Sequence, residues 1–388
     1  MFRNRSFRTK LAVAIAPPLI VLVGRERERD IVDALLDHLA AGAPTEPLVF
    51  CGRGGVGRSA VLERVASRAA DHDWYTGLAV AELTEPVRDV VARAFARALT
   101  ALAARRPGAS GLRSAAEAVV AFSPHVLAEL PVPVMPSSID VVRGDLERDL
   151  RRLVVKVADS MRELVGRGLL VVIDDLHRAD ALEVAAVLRT FGASMRDGQP
   201  IGLVAGGTAT LRHVVALAEL DADIVEIAPL SPTDTARLVI SLAHAAGVEM
   251  EPAAGDAIAG ATAGYPELVL LYAGAAWDTA PGPTITAADV AAGAAVARDR
   301  LARLVLAAAF TVSPAARRYV RAVAEAEDPA DSELIARRLG DTTRFGSGAS
   351  QMTELRDDLV RRGLLSLLDR THLAFVHPAA RSYVLSWD

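Results

Sequence analysis

The chain is poor in thiols, aromatic rings and lysine. One cysteine, Cys51, in 388 residues excludes a disulfide framework and any four-thiolate zinc site, and it fits a reducing compartment. Aromatic residues make up only 4 % while apolar residues reach 52 %, so the apolar share rests on Ala, Val and Leu, a mixture that favours helices. Lys10 and Lys156 are the two lysines among 43 basic residues; the rest are Arg, the bias of a GC-rich genome. A net charge of −5 gives no global reason to bind nucleic acid. Long apolar runs are scarce too. The run at 11–23 follows a basic head (Arg3, Arg5, Arg8, Lys10), but Pro17-Pro18 breaks it and it falls short of the ~18 residues a spanning helix needs. We therefore expect a soluble N-terminal tail over 1–18, no stable membrane insertion and a cytoplasmic protein.

Against these shortages stands one glycine-dense loop. The apolar run 48–51 opens into Gly52-Arg53-Gly54-Gly55-Val56-Gly57-Arg58-Ser59, and an amphipathic helix follows with Val61, Leu62, Val65 and Ala66 on one face. This strand–glycine loop–helix order makes a phosphate cradle: glycines let several N–H groups point inward, and the helix N-terminus adds partial positive charge. The pattern G-x-x-x-x-G-K-[ST] is met at every defined position but one, where Arg58 replaces lysine. A planar guanidinium does not reproduce the compact ammonium that reaches between phosphates. Nucleotide binding is compatible with this exchange; efficient turnover is not expected.

A second motif lies at 169–175. Five apolar residues, Leu169 to Ile173, read as a central parallel strand buried on both faces, and they end in Asp174-Asp175. A carboxylate at such a strand end, beside a phosphate loop, suits Mg²⁺, which Ser59 and Asp174 would hold. Asp175 would orient or deprotonate an attacking water, although it is one methylene shorter than Glu. Taken singly, the motifs have plainer readings: a glycine-rich turn, and a strand exit whose Asp caps the next helix.

Strand-like runs at 48–51, 77–81, 169–173, 201–205 and 224–227 alternate with helical stretches, which predicts an α/β fold with a parallel sheet flanked by helices. Residues 106–140 mix Pro, Gly and Ser with apolar pieces and read as part of an insertion at about 103–148. From Ser231 the pattern is helical to about Thr279, and Pro281-Gly282-Pro283 reads as a linker. A long Ala-rich helix is expected over 286–310. Helices at 315–326, 331–339 and 350–362 then precede two short apolar segments, 364–368 and 373–376, the layout of a winged helix. In a DNA-reading version the helix 350–362 would enter the major groove, but Glu354, Asp357 and Asp358 offset Arg356, Arg361 and Arg362, which favours protein contact.

In this order of features the chain resembles bacterial, actinobacterial-type P-loop ATPases of the AAA+/STAND group. Gly52 to Ser59 matches Walker A and Leu169 to Asp175 matches Walker B. Val23-Gly24-Arg25-Glu26 resembles the N-terminal motif that lies near the adenine in that group, and Asp174 to Asp180 (D-D-L-H-R-A-D) is close to a STAND stretch. The strand 200–208 resembles sensor 1, with Thr208 its polar residue, and Gly264-Tyr265-Pro266 resembles the lid element that touches the base. The resemblance implies a P-loop core over 19–229, a helical lid over 230–290 and a winged-helix-like domain over 291–388. It implies ATP or ADP with Mg²⁺ as cofactors, bound by Val23, Gly24, Gly52, Gly54, Gly55, Val56, Gly57, Arg58, Ser59, Ala60, Tyr265 and Pro266. Asp175, Arg58 and Thr208 take the catalytic positions. Basic residues near the end of the sensor region reduce to Arg212 and His213, and no arginine finger is assigned. Three functions stay open: a nucleotide-dependent switch or regulator with weak or absent hydrolysis, working on a protein partner or homo-oligomer; an active ATPase; and a DNA-binding regulator, through 291–388, with a degenerate nucleotide site.

Overall fold

The computed structural model describes residues 23–83, 85–134, 144–163, 168–309, 313–340 and 348–386. The expected N-terminal tail and nearly all of its apolar run lie outside these residues. Helix α1 (Glu26–Ala40) leads into β1 (Leu48–Cys51), whose four residues are all buried, and then into α2 (Arg58–Asp71). The next unit is β2 (Tyr75–Val80), α3 (Val87–Arg105), α4 (Leu112–Phe122) and α5 (Leu146–Glu163). Strand β3 (Leu169–Asp174), helix α6 (Ala181–Arg196), β4 (Ile201–Gly207), α7 (Ala209–Leu217) and β5 (Asp223–Glu226) complete the first body.

The five strands form one parallel sheet in the order β2-β3-β4-β1-β5. Buried on both faces, β3 and β4 read as unbroken apolar or glycine-containing runs, as a covered parallel sheet requires. β2 begins two residues earlier than its apolar run suggests, because Tyr75 and Thr76 already pair with Leu169 and Leu170. This order sets the ends of β1, β4 and β3 side by side, at the crevice where open α/β sheets bind ligands.

Of the segment read as an insertion at about 103–148, residues 103–134 and 144–148 are among those described. Helix α4 buries Ala115, Ala116 and Val119 completely in the same hydrophobic core as the sheet.

Beyond the sheet, α8 (Pro232–Ala245), α9 (Pro252–Thr262) and α10 (Pro266–Thr279) form a helical lid with its own core. A two-stranded sheet of β6 (Glu249–Met250) and β7 (Thr284–Ile285), not expected from the sequence, ties the lid's ends. The long helix α11 (Ala287–Ala309) follows. A third core belongs to the C-terminal module: α12 (Pro314–Glu325), β8 (Ala330–Asp331), α13 (Ser332–Gly340), α14 (Gly348–Arg361), β9 (Leu365–Leu367), β10 (His372–Phe375) and α15 (Pro378–Leu385). Its strands make an antiparallel sheet in the order β8-β10-β9. Among the described residues no helix is long and apolar enough to cross a membrane.

Candidate functional site

The glycine loop and the acidic strand end meet. Arg58 opens α2, with Gly57 before it at φ +93°, and its side chain spans the gap between the two motifs. Nη1 donates to the Gly52 carbonyl at 3.0 Å, Nη2 to Asp175 Oδ1 at 2.5 Å and Nε to Asp174 Oδ1 at 3.4 Å. The Ser59 hydroxyl donates to Asp174 Oδ2 at 2.5 Å, and the Asp175 N–H to Asp174 Oδ1 at 2.7 Å. A second guanidinium, that of Arg178, holds Asp175 Oδ2 at 2.9 Å. All four carboxylate oxygens are thus engaged, and the two carboxylates face two guanidiniums. Asp175 sits at φ +53°, a strained backbone for a non-glycine residue and one often found at functional sites.

His177 lies beneath this cluster, almost fully buried, with Nδ1 lacking a hydrogen bond. Burial first, then the charges of Arg58 and Arg178, push its pKa down to about 3 against a smaller upward pull from Asp174, so the ring is neutral.

Ser59 and Asp174 are the hard-oxygen donors that Mg²⁺ prefers. In this arrangement, however, they bond each other directly, and Arg58 supplies the positive charge at the free side of Asp174. As arranged, the residues do not fit the metal, and no step is derived through it.

The mouth of the loop is covered from two sides. From the lid, the Glu267 N–H donates to the Gly55 carbonyl at 3.2 Å, and Pro266 packs against Gly57. From the C-terminal module, the Val376 carbonyl accepts from the Gly54 N–H at 2.8 Å, and Arg53 Nη2 donates to the Phe375 carbonyl at 3.3 Å. The approach demands glycine: a Cβ on Gly54 would lie 2.8 Å from Val376 Cγ1, and one on Gly55, at φ +75°, 2.6 Å from Glu267 Oε2. His377 reaches the same spot, its Nε2 3.7 Å from Glu267 Oε2. Burial, then Arg53, lowers the His377 pKa to about 4, and burial raises that of Glu267.

Tyr265 and Pro266, expected at a base, stand at the start of α10 against the loop and His377. Val23 packs on the lid core and Gly24 approaches Asp234 of α8. Arg25, which follows them, is the more informative residue: buried, it donates to Val56 O and Ala228 O, both at 2.8 Å, which ties the loop to the core–lid junction. Val56 is buried in the main core, and Ala60 lies in the first turn of α2. Thr208, between β4 and α7, is almost fully buried, with its hydroxyl unbonded, in a cavity of about 350 Å³ between the core and the C-terminal module that also takes in Arg53 and Arg212. Arg212 pairs with Glu226 at 3.0 Å.

Sequence reasoning missed Arg178, Glu267, Val376 and His377. The first lies three residues after Asp175 and could have been flagged by that i,i+3 spacing. The others sit more than 200 residues from the loop they cover and carry no local signal.

A parallel sheet with a glycine loop after β1 and a carboxylate pair at the end of β3 is the arrangement of a P-loop α/β fold. Consistent with that, residues 21–204 match the family described as AAA ATPase domain, and residues 304–384 match a domain family of unknown function, DUF8462. The fold is similar to that of the Walker-type ATPase PABY2304 of Pyrococcus abyssi (TM-score 0.55, 12 % identity, covering 94 % of this chain and 96 % of that one). Lower similarity is found to the Aeropyrum pernix Orc1 protein in complex with DNA (TM-score 0.46, 17 % identity, 96 % and 95 % covered) and to Cdc6p from Pyrobaculum aerophilum (0.46, 13 %, 97 % and 97 %). No curated protein sequence matches the chain.

Proposed function

We propose that the chain is a nucleotide-dependent conformational switch in which ATP or ADP at the glycine loop competes with the docked C-terminal module, a winged-helix-like unit that reports to a protein partner or a second copy. One observation carries this reading: the Gly54 N–H, a donor that a phosphate cradle would offer to its ligand, is taken by the Val376 carbonyl. A phosphate oxygen and that carbonyl cannot both sit on one N–H at 2.8 Å. Nucleotide therefore has differential affinity for the docked and released states, which is what a switch requires. Hydrolysis is slow or absent in this reading, because Asp175 is clamped on both oxygens by Arg58 and Arg178 and is not free to take a proton from water. Contact with DNA has less support: on α14, Arg356 pairs with Asp357 and Arg362 with Asp358, leaving little surplus positive charge.

The test is a covalent staple. The Thr210 and Ser366 hydroxyls, one on the core and one on the module, lie 3.4 Å apart and both residues are buried, so a cysteine pair there can close a disulfide. Nucleotide titration of Thr210→Cys/Ser366→Cys should show binding at least about tenfold weaker in the oxidised than in the reduced form. Equal affinity in the two forms, or no binding in either, would end the proposal.

A further inference from the structure

We infer that this site holds nucleotide without a divalent cation, because the Arg58 guanidinium stands in the metal's place. The inference rests on the nucleotide-binding reading above and specifies what that site asks of its ligand: a nucleoside di- or triphosphate as the free anion.

The argument starts from charge. A P-loop site whose acid pair is uncovered needs a cation beside the strand end before a polyphosphate can approach. In this chain the pair is already covered. Asp175 carries Arg58 on one oxygen and Arg178 on the other, and Asp174 carries Arg58 and the Asp175 N–H on one oxygen and the Ser59 hydroxyl on the other. These groups are enclosed: the side chains of Arg58, Asp174 and Asp175 are 10 %, 5 % and 15 % exposed. A metal would have to open the Ser59–Asp174 contact and sit beside a guanidinium that the same carboxylates hold.

Geometry gives the second half. A guanidinium has five N–H donors in a fixed plane, and Arg58 spends three of them on Gly52 O, Asp174 and Asp175. Two remain for phosphate oxygens, so a single side chain can neutralise the acid pair and still bind the ligand. Lysine cannot do this. Its ammonium is a point charge with three donors and no planar fork, so a lysine here leaves part of the carboxylate charge for a metal to cover. The replacement at position 58 thus alters the cation requirement of the site along with the reach of the side chain.

Calorimetric titration of the full chain with ADP and with a non-hydrolysable ATP analogue, each in EDTA and in millimolar Mg²⁺, tests the inference. The wild-type dissociation constants should agree within about twofold between buffers, while Arg58→Lys should bind at least about tenfold tighter with Mg²⁺. A tightening of about tenfold in the wild type would overturn it. A second measurement uses no nucleotide. Mg²⁺ should leave the wild-type melting temperature unmoved but raise that of Arg58→Ala, whose acid pair is uncovered; if Arg58→Ala does not fold, Arg58→Lys serves in its place. A wild-type rise equal to the variant's would overturn the assignment. Should no nucleotide bind in either buffer, the switch reading and the nucleotide half of this inference fail together, while melting data that behave as expected still support the other half, that Arg58 keeps Mg²⁺ from the acid pair.

Discussion

His177 shows how much a single residue in this core depends on its neighbours. It is neutral because burial and two guanidiniums oppose its charge, which puts its pKa at about 3 against 6.5 in the unfolded chain. The unfolded state therefore binds the extra proton first as pH falls, and stability present above pH 6.5 is lost progressively toward pH 3. Between about pH 7.5 and pH 5 this residue should cost the fold about 2 kcal/mol, and His177→Gln should flatten that part of the stability curve. Urea titrations at the two pH values check the sign. Equal slopes for the wild type and the variant would show that another group dominates.

At the scale of elements, the tightest joint is between β2 and α3. Gly77 faces the helix so closely that a Cβ would lie 1.8 Å from the Ala94 carbonyl oxygen and 2.7 Å from the Ala98 nitrogen, both backbone atoms that no rotamer change can move. Gly77→Ala should destabilise the core by about 3 kcal/mol or more, or abolish folding, as judged by the urea midpoint and soluble yield. A loss below about 1 kcal/mol would mean that strand and helix slide apart freely. α6 illustrates the opposite case, in which local chemistry suffices. Asp180 accepts from the Leu182 and Glu183 N–H groups, so the carboxylate that closes the acidic motif also caps the following helix.

At the scale of the molecule, the described residues form three hydrophobic clusters: one under the sheet that also takes in Tyr265, Leu268 and Leu271 from the start of α10, one in the lid and one in the C-terminal module. The module meets the main body through contacts that include Val376–Gly54, Phe375–Arg53, the Arg53–Asp328 ion pair and those of Thr210 with Ser366 and Leu367, and among the described residues no apolar cluster takes in both cores. Unfolding should therefore proceed in steps. Hydrogen-exchange mass spectrometry across a urea series should show β9 and β10 losing protection at lower denaturant than β3. Simultaneous loss in all three units would contradict a weakly docked module. Added nucleotide should move the β9–β10 transition to lower urea and that of β3, whose core binds it, to higher urea.

Much of this architecture was legible in the residues. The glycine loop, the buried run of β3 and the acid pair after it are contiguous patterns whose chemistry is local: backbone freedom, two-faced burial, charge at a strand end. They led to the parallel sheet and to the candidate phosphate site, just as Ser231-Pro232 announced α8. The apolar spacing of α4 is equally visible, but composition at its flanks does not reveal that the helix joins the core of the sheet.

Sequence alone determined that a glycine-dense loop between a strand and a helix and a carboxylate pair exist, and that position 58 carries a guanidinium where the pattern has an ammonium. Only the tertiary structure decided what that guanidinium binds, that Arg178 shares Asp175 with it, and that Val376 and Glu267 close over the loop. The reason is physical: a motif's identity is carried by neighbours in the chain, whereas occupancy of its donors depends on groups that folding brings from hundreds of residues away.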